Sequence, residues 1–287
     1  MFGIVSKDVL TPLVCRMEVE APRIAGSALP GQFLIVMAEE RGERIPLTIS
    51  GYDTEKGTVT IVVQEAGAST ADICSMKPGD CFAAVAGPLG IPSDFTEMSR
   101  ESLERERFVF IAGGVGAAPV YPQAKWLHER GIPVDVIIGA KSAGLMIYRE
   151  EMAAVCDNLY VCTDDGSAGF GGLVTAMLEK LVAERPDRYT RAVAIGPMIM
   201  MKFASLTAKK LGLPIVVSLN TLMVDGTGMC GACRVTVGGK TRFACVEGPE
   251  FDGYEVDFDE ALRRQAMYRN HEIEAEPHIC RIGRGRQ

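Results

Sequence analysis

The chain has 287 residues, of which 47% are hydrophobic and 23% charged, so its composition is that of a globular protein long enough for two domains. Its formal net charge of −7 at pH 7 gives no electrostatic basis for binding nucleic acid. The chain shows neither a signal-peptide pattern nor an uninterrupted apolar segment long enough for a membrane span, so we expect a cytoplasmic protein.

Residues 1–98 have the pattern of a β domain. Short apolar runs such as GQFLIVMAE and GTVTIVVQEA are separated by turn signals at LPG, EKG and KPGD. Strands at this spacing, without long helical patterns between them, predict a small barrel or sandwich. The polar stretch that follows, SDFTEMSRESLERER, has the composition of a linker.

Residues 105–219 have a different pattern. Continuous apolar runs such as RFVFIAGG, PVDVIIGA and NLYVCTDD alternate with helical segments such as GLVTAMLEKLVAERP. Runs of this kind are buried on both faces, so they predict an α/β domain with a parallel sheet. In such sheets ligands bind beyond the carboxyl ends of the strands, near the point where the strand order reverses.

Two segments of this second domain are candidates for contact with a nucleotide. In FVFIAGGVGAAP a strand is followed by Gly114 and Gly116, which allow the backbone to approach a pyrophosphate at the start of a helix. The third glycine of the dinucleotide fingerprint is replaced by Pro119, so a tight turn without a ligand remains an alternative.

The second candidate is TDDGSAGFGG, which follows another strand. Thr163, Asp164 and Asp165 either line a nucleotide site or form a solvated turn. Their two carboxylates would repel the 2′-phosphate of NADP and therefore favour NAD, whereas Lys141 after a neighbouring strand weakly favours NADP. NAD is the hypothesis we adopt.

Two segments of the β domain contain residues suited to a flavin nucleotide. In ERIPLTIS, Arg44 offers a guanidinium to a phosphate, and the strand that follows can lie against an isoalloxazine ring. GASTADIC can begin a helix that binds a phosphate. An exposed arginine and an ordinary helix cap are the alternatives for each segment taken alone. The candidate residues after Arg44 are Pro46, Leu47, Thr48 and Ser50 in the first segment and Gly67, Ser69 and Thr70 in the second.

The order of these motifs resembles that of the ferredoxin–NADP reductase superfamily, in its branch of electron-transfer subunits. PGQF, GPLG, GAKSAGLMIYREEM and IGPMIMM also fit that pattern. The resemblance implies a β-barrel that binds FAD and an α/β domain that binds a nicotinamide nucleotide. It implies contacts with FAD from Arg44, Pro46, Leu47, Thr48, Gly67, Ser69 and Thr70, with Thr48 near the reactive edge of the flavin. It implies contacts with the nucleotide from Gly114, Gly116, Thr163, Asp164, Asp165, Gly196 and Met198.

Residues 220–258 are rich in glycine and cysteine, as expected of a small lobe held together by a ligand. Asp225, Cys230, Cys233 and Cys245 form a D-x4-C-x2-C-x11-C pattern. The plant-type [2Fe–2S] spacing is C-x4-C-x2-C…C, so the pattern predicts a cluster held by three thiolates and one carboxylate. Zinc with Asp225 or His278 as fourth ligand, a thiol–disulfide pair, and cysteines without a metal remain as alternatives.

The other parts of the chain carry weaker signals. Cys15, Cys74, Cys81, Cys156 and Cys162 stand singly in apolar contexts, and we expect them to be buried small hydrophobic residues. Residues 259–287 have the pattern of a helical tail with a basic end. We expect this tail and the cysteine lobe to form the surface that docks a partner protein.

The cysteine segment narrows the resemblance. Electron-transfer subunits of dihydroorotate dehydrogenase carry four cysteines in this lobe, whereas VDGTGMCGACRV, with aspartate first, is similar to the small subunit of NADH-dependent ferredoxin:NADP oxidoreductase, a family also named sulfide dehydrogenase subunits. That resemblance implies a chain that carries FAD and a [2Fe–2S] cluster and binds NAD(H). It also implies an electron-bifurcating enzyme, in which a larger subunit carries a further FAD and [4Fe–4S] clusters.

Electron transfer of this kind needs no strong acid or base from the protein, so we nominate no acid–base pair. Two other functions remain open at this point. One is the electron-transfer subunit of dihydroorotate dehydrogenase, and the more distant one is a zinc-stabilised regulatory module that binds a nucleotide.

Overall fold

The computed structural model of the protein describes residues 2–267, which begin with an antiparallel sheet. Its strands are β1 (Phe2–Thr11), β2 (Val14–Glu20), β3 (Phe33–Met37), β4 (Ile45–Asp53), β5 (Thr58–Gln64), β6 (Cys81–Phe82) and β7 (Ala84–Leu89). Their order in the sheet is β6-β1-β2-β5-β4-β3-β7. The edge strands β6 and β7 are separated by the single residue Ala83, so the sheet curls into a nearly closed barrel. The predicted β-barrel is confirmed.

Alternate residues of the barrel strands point inward. Along β2, Cys15, Met17 and Val19 are buried, while the residues between them are partly exposed. Met17 packs in one core with Leu34 and Ile61, and burial of each such side chain contributes about 1.5–3 kcal/mol. Two short helices, α1 (Pro22–Ala25) and α2 (Ala68–Ser75), connect strands of the barrel.

The polar stretch predicted as a linker is folded. It contains a 3₁₀ helix at Asp94–Glu97 and the helix α3 (Arg100–Arg105). Phe95 and Leu103 are buried in a core of the domain that follows. The expectation of a free linker is wrong, because these two apolar side chains attach an otherwise polar segment to the second domain.

The second domain contains six parallel strands. They are β8 (Phe108–Gly113), β9 (Val134–Ala140), β10 (Asn158–Thr163), β11 (Phe170–Gly171), β12 (Arg191–Ile195) and β13 (Ile215–Ser218), in the order β11-β10-β9-β8-β12-β13. The segments between them contain the helices α4 (Ala117–His128), α5 (Arg149–Ala153), α6 (Val174–Glu184) and α7 (Met198–Leu211), with 3₁₀ turns at Gly114–Gly116 and Ala143–Leu145.

Helices cover both faces of this parallel sheet. Val109 and Ile111 of β8 are buried in a core shared with α6 and α7. Phe108 and Phe110 of the same strand are buried in the core on the side of α4. Burial on both faces explains the continuous apolar runs of the sequence, and it confirms the predicted α/β parallel-sheet domain.

The cysteine-rich segment forms a small lobe and then returns to the α/β sheet. The hairpin β14 (Arg234–Val237) and β15 (Lys240–Phe243) is followed by the helix α8 (Ala244–Glu247). The next strand, β16 (Glu250–Asp252), pairs antiparallel with β13 at the edge of the α/β sheet. Part of the segment predicted as a separate lobe, residues 220–258, therefore belongs to the sheet of the second domain.

The predicted helical tail begins with α9 (Phe258–Gln265). Phe258 and Ala261 are buried in the core that contains α7, and Lys202 of α7 pairs with Asp259. The rest of the predicted tail, residues 268–287, lies outside the described residues. Between residues 2 and 267, no helix combines the length and apolarity that crossing a membrane requires.

The five cysteines outside the lobe differ in exposure. Cys15 and Cys162 are buried, as expected, and Cys74 and Cys156 are partly exposed. Cys81 is exposed, so the expectation of burial is wrong for this residue. It lies on the two-residue edge strand β6, where one side chain points into the barrel and the next points out.

Candidate functional site

The two segments predicted to bind a flavin lie side by side in the barrel. Residues Pro46, Leu47 and Thr48 form the first half of β4 and are half-buried. Ser69, in the first turn of α2, donates a hydrogen bond to the carboxylate of Glu43, which precedes the exposed Arg44. The N-terminus of α2 therefore lies close to the residues that lead into β4.

The start of α2 has the geometry of a helix N-terminus open to a ligand. Thr70 Oγ1 accepts hydrogen bonds from the backbone N–H groups of Ala66 and Gly67, at 2.9 and 3.0 Å, and so fixes the turn before the helix. The N–H groups of the first helical turn are not used within the helix and can bind a phosphate. Ser50, further along β4, is only 2% exposed.

The glycine-rich turn after β8 lies where the strand order reverses. From β8 the chain continues to β9 and β10 on one side, whereas β12 pairs with β8 on the other side. A Cβ atom on Gly116 would lie 2.1 Å from the carbonyl oxygen of Ile195, so only glycine fits this close approach. Gly114 has φ +55° and open space where a Cβ would lie. Gly114, Gly116 and Gly196 thus meet at the expected crevice.

The remaining candidates for nucleotide contact differ in the groups that they leave accessible to a ligand. Thr163 is fully buried, and its hydroxyl exchanges hydrogen bonds with the backbone of Ala168. Asp165 accepts hydrogen bonds from the side chain and backbone of Ser167, which hold the pKa of its carboxyl below the usual value. Asp164 is exposed after β10, two strands away from the glycine turn. The side chain of Met198 is buried in the core, which leaves its backbone for contact with a ligand.

Two of the predicted cluster ligands form a close pair of buried thiols. The Sγ atoms of Cys233 and Cys245 are 3.2 Å apart, and both residues are 1% exposed. Burial and the neighbouring Cys233 raise the pKa of the Cys245 thiol to about 12. A metal ligand must be a thiolate. Such a thiol loses its proton only next to a strong positive charge, which a bound metal ion supplies.

The other two predicted ligands, Asp225 and Cys230, lie in an exposed loop. The Asp225 carboxylate accepts hydrogen bonds from the backbone N–H groups of Thr227, at 2.9 Å, and Cys230, at 3.1 Å. These bonds hold the pKa of Asp225 below its usual value, so the carboxylate is charged. The loop needs glycine at Gly226 and Gly228, which have φ of +75° and +82°.

The four residues fit a two-iron cluster better than a single metal ion. Among residues 2–267, no three His, Cys, Asp or Glu side chains come close enough to hold one ion. Cys233 and Cys245 form a close pair of thiols, whereas Asp225 accepts a hydrogen bond from the backbone N–H of Cys230 in the adjoining loop. A [2Fe–2S] cluster takes two protein ligands at each iron, whereas structural zinc needs four around one ion. His278, the alternative zinc ligand, lies outside the described residues.

Known proteins share these features. Residues 220–257 match the model of the iron–sulfur cluster binding domain of dihydroorotate dehydrogenase B. A homologue of the electron transfer subunit of dihydroorotate dehydrogenase B (NAD(+)) from Thermotoga maritima is 45% identical, covering 94% of this chain and 92% of the relative. The chain belongs to this family of electron-transfer subunits. An uncharacterized protein from Clostridium beijerinckii is 56% identical over 96% of this chain and 93% of its own length.

A solved structure supports the narrower resemblance of this electron-transfer subunit. The chain superposes on a chain of the NADH-dependent reduced ferredoxin-NADP oxidoreductase, a structure that gave insights into flavin-based electron bifurcation, with a TM-score of 0.90. The two chains are 42% identical, and the match covers 98% of each. The resemblance inferred from the D-x4-C-x2-C motif is thus confirmed, together with the barrel, the α/β domain and the iron–sulfur lobe.

Sequence reasoning missed the residues that attach the cysteine lobe of the electron-transfer subunit to its barrel. Phe33 and Ile35 of β3 pack in one buried cluster with Cys233 and Cys245. A Cβ on Gly226 would lie 2.6 Å from Ile35 Cδ1, so the loop rests directly on this strand. The motif PGQF, which ends at Phe33, is the one sequence signal near these residues.

Sequence reasoning also missed a carboxyl group where three segments of the subunit meet. The Glu250 carboxylate accepts hydrogen bonds from Ser93 Oγ at 2.9 Å and Gln123 Nε2 at 2.8 Å. Ser93 precedes the 3₁₀ helix at Asp94–Glu97, Gln123 belongs to α4, and Glu250 begins β16. Burial raises the pKa of Glu250 to about 7, and the nearby Asp94 adds to this effect. No sequence pattern marks this residue.

Proposed function

We propose that this chain exchanges hydride with NAD(H) at an FAD and exchanges single electrons with a larger partner subunit through a [2Fe–2S] cluster. The enzyme would be electron-bifurcating, like the NADH-dependent reduced ferredoxin-NADP oxidoreductase that the chain resembles. When bound, FAD supplies the step between two-electron and one-electron chemistry. The chain itself binds and orients the carriers.

The position of β4 between the nucleotide crevice and the cysteine lobe is the observation that carries this proposal. On one side, β4 packs against α4, the helix that follows the glycine turn. On the other side it pairs with β3, where Phe33 lies opposite Thr48. Phe33 in turn packs against the cysteine pair of the lobe. A flavin held along β4 would therefore lie between its electron donor and its electron acceptor.

The described contacts suggest which residues hold each carrier. In the domain of residues 1–98, Arg44 and the first turn of α2 would bind the FAD phosphates, and Thr48 would lie near the flavin. In the domain of residues 105–219, Gly114, Gly116 and Gly196 would bind the nucleotide. The cluster would take its ligands from the loop and from the buried thiol pair. Asp225 would supply a hard oxygen donor that favours the ferric state at its iron.

The surface beside the exposed Cys230 is suited to a partner protein. Met229 is 89% exposed, and Val224 and Val246 are 52% and 41% exposed. Exposed apolar side chains grouped in this way commonly mark a protein interface. We propose that the larger subunit, with its own FAD and [4Fe–4S] clusters, covers this surface and exchanges electrons with the cluster there.

A second function is supported by the Thermotoga maritima relative, which is described as a homologue of a dihydroorotate dehydrogenase B electron transfer subunit. In that case the partner would oxidise dihydroorotate. Purification of the native complex distinguishes the two functions. A partner that reduces NAD with dihydroorotate supports the second, whereas a larger iron–sulfur flavoprotein that reduces NADP with NADH and reduced ferredoxin supports the first.

Electron paramagnetic resonance of the NADH-reduced chain tests the proposal. We expect flavin absorption and the signal of a reduced [2Fe–2S] cluster. Replacement of Asp225→Cys should keep the cluster but change its g values, because sulfur replaces oxygen at one iron. Replacement of Asp225→Ala should lower the iron content. A colourless protein that contains zinc would refute the proposed function, and a signal indifferent to both changes would remove Asp225 as ligand.

A further inference from the structure

The structure brings together two barrel cysteines that are 59 residues apart in the sequence. Cys15 lies on β2 and Cys74 in the last turn of α2, and their Sγ atoms are 3.4 Å apart. Both are free thiols. Cys15 is 3% exposed, whereas the side chain of Cys74 is partly exposed. Such a pair differs from the single buried cysteines that the sequence predicts at these positions.

The surroundings of the pair favour a thiolate on one of its sulfurs. Contact with Cys74 and the positive charge of Lys7 lower the pKa of Cys15. The same contact and burial raise the pKa of Cys74, so Cys74 keeps its proton. Lys7 is held in place because its ammonium donates hydrogen bonds to the carbonyl oxygens of Cys74 and Met76. One nucleophilic sulfur and one protonated sulfur in contact is the arrangement of a reactive dithiol.

The pair is poorly suited to hold a metal. No third His, Cys, Asp or Glu completes a site around it among the residues that the structure describes. It also lacks an adjoining glycine-rich loop like the one that carries Cys230 and Cys233, since Cys15 lies on a strand and Cys74 in a helix. The contact at 3.4 Å is instead suited to covalent chemistry between the two sulfurs.

We propose that Cys15 and Cys74 form a reversible disulfide that links β2 to α2. A disulfide bond is about 2.05 Å long, so the sulfurs must approach by about 1.4 Å from their 3.4 Å separation. Cys74 lies at the end of an eight-residue helix, where a small shift of the last turn closes this gap. The proposal does not depend on the cofactors proposed above.

Hydrogen peroxide is a sufficient oxidant for this step. The Cys15 thiolate attacks one oxygen, the O–O bond breaks, and the leaving hydroxide takes a proton from solvent to give water. Cys15 is then a sulfenic acid. The Cys74 sulfur attacks it, the S–O bond breaks, and the hydroxyl leaves as a second water with the Cys74 proton. Two thiols lose two electrons, and one peroxide gains them.

The disulfide would fix a functionally placed helix. The first turn of α2 contains Ser69 and Thr70, and its last turn contains Cys74. A link from Cys74 to the strand β2 therefore restrains the whole helix. It also closes a long loop of chain, which lowers the entropy of the unfolded state and raises the melting temperature.

Peptide mapping of the peroxide-treated full-length protein tests the proposal. Free thiols are blocked by alkylation before digestion. We expect a peptide containing Cys15 joined to one containing Cys74, with a mass two hydrogen atoms below the sum of the two reduced peptides. Dithiothreitol should separate them. The treated protein should melt at a higher temperature than the reduced protein.

Three variants control this assignment. Cys15→Ser and Cys74→Ser should each abolish the cross-link. Cys81→Ser should keep it, because Cys81 is exposed on β6 and makes no contact with either sulfur within hydrogen-bonding distance in the described structure. The proposal is wrong if Cys15 and Cys74 are both recovered alkylated at peroxide concentrations that oxidise Cys81, or if the cross-link requires Cys81.

Discussion

Two pairs of cysteine sulfurs lie at nearly the same distance in this molecule. The pair in the lobe, Cys233 and Cys245, is separated by 3.2 Å, and the pair in the barrel, Cys15 and Cys74, by 3.4 Å. Their surroundings differ. The lobe pair has a third cysteine and a charged aspartate in the adjoining loop, whereas the barrel pair has a lysine and two regular elements. Sulfur–sulfur distance alone therefore does not identify the chemistry of a pair.

The backbone around each pair explains the difference. In the lobe, Cys230 and Cys233 each lie two residues after a glycine with left-handed backbone, whereas Cys245 lies in the short helix α8. Cys15 lies on a strand with inward-pointing neighbours, and Cys74 ends a helix. Regular elements present one side chain each to the shared contact, which suits a two-sulfur bond. We therefore expect a serine substitution to remove the cluster at the lobe pair and to leave it unchanged at the barrel pair.

The largest effect is expected from a serine in the lobe pair. Cys245→Ser removes a thiolate that three other donors cannot replace, so we expect loss of most of the cluster iron and of the reduced-protein paramagnetic signal. The matched change in the barrel, Cys15→Ser, should leave both readings unchanged. Iron analysis and electron paramagnetic resonance of the purified variants measure the outcome. Equal loss of iron in the two variants would contradict the assignment of the cluster to the lobe pair alone.

An intermediate effect is expected at Glu250, which joins β16 to α4 and to the segment that begins at Ser93. Its pKa rises from 4.5 to about 7 in the folded protein, so the folded state binds this proton more tightly than the unfolded state. The stability linked to this proton is complete below pH 4.5 and is lost as the pH rises through 7. Glutamine does not titrate in this range, so Glu250→Gln should remove this pH-dependent loss, which is about 3 kcal/mol in the free energy of unfolding.

Denaturant unfolding of wild type and Glu250→Gln at several pH values between 5 and 8 measures this effect. The matched control is Glu255→Gln, because Glu255 is an exposed carboxylate close by in the chain. Parallel pH profiles for wild type and Glu250→Gln would show that the proton on Glu250 does not contribute to the stability of the folded state. If Glu250→Gln also disturbs the lobe, the paramagnetic signal of the cluster will change. The Cys15–Cys74 pair in the barrel should be unaffected.

The smallest effect is expected at the surface of the lobe. Met229→Glu places a charge in the proposed docking surface, so the affinity for the co-purifying larger subunit should fall about tenfold, or about 1.4 kcal/mol. The matched control is Val9→Glu on β1 of the barrel, where the valine is 73% exposed. Surface-plasmon measurements of both variants compare the two regions. Equal affinities would place the docking surface elsewhere.

Much of the site could be predicted because its signals are local. The D-x4-C-x2-C spacing lies within one loop, and the glycine turn lies between one strand and one helix. The periods of apolar residues separate the barrel from the α/β domain over adjacent segments. The strand β16 could not be predicted in the same way. It has three residues, and its place is decided by the free edge of β13, which lies more than thirty residues earlier.

The sequence by itself determined the two domain types, the order of the flavin and nucleotide motifs, and the aspartate-first spacing of the candidate cluster ligands. Only the tertiary structure decided that β3 separates Thr48 from the cysteine pair, that Glu250 joins three segments, and that Cys15 meets Cys74. The physical reason is distance along the chain. Periodicity and ligand spacing are properties of neighbouring residues, whereas these contacts depend on how the faces of distant elements pack.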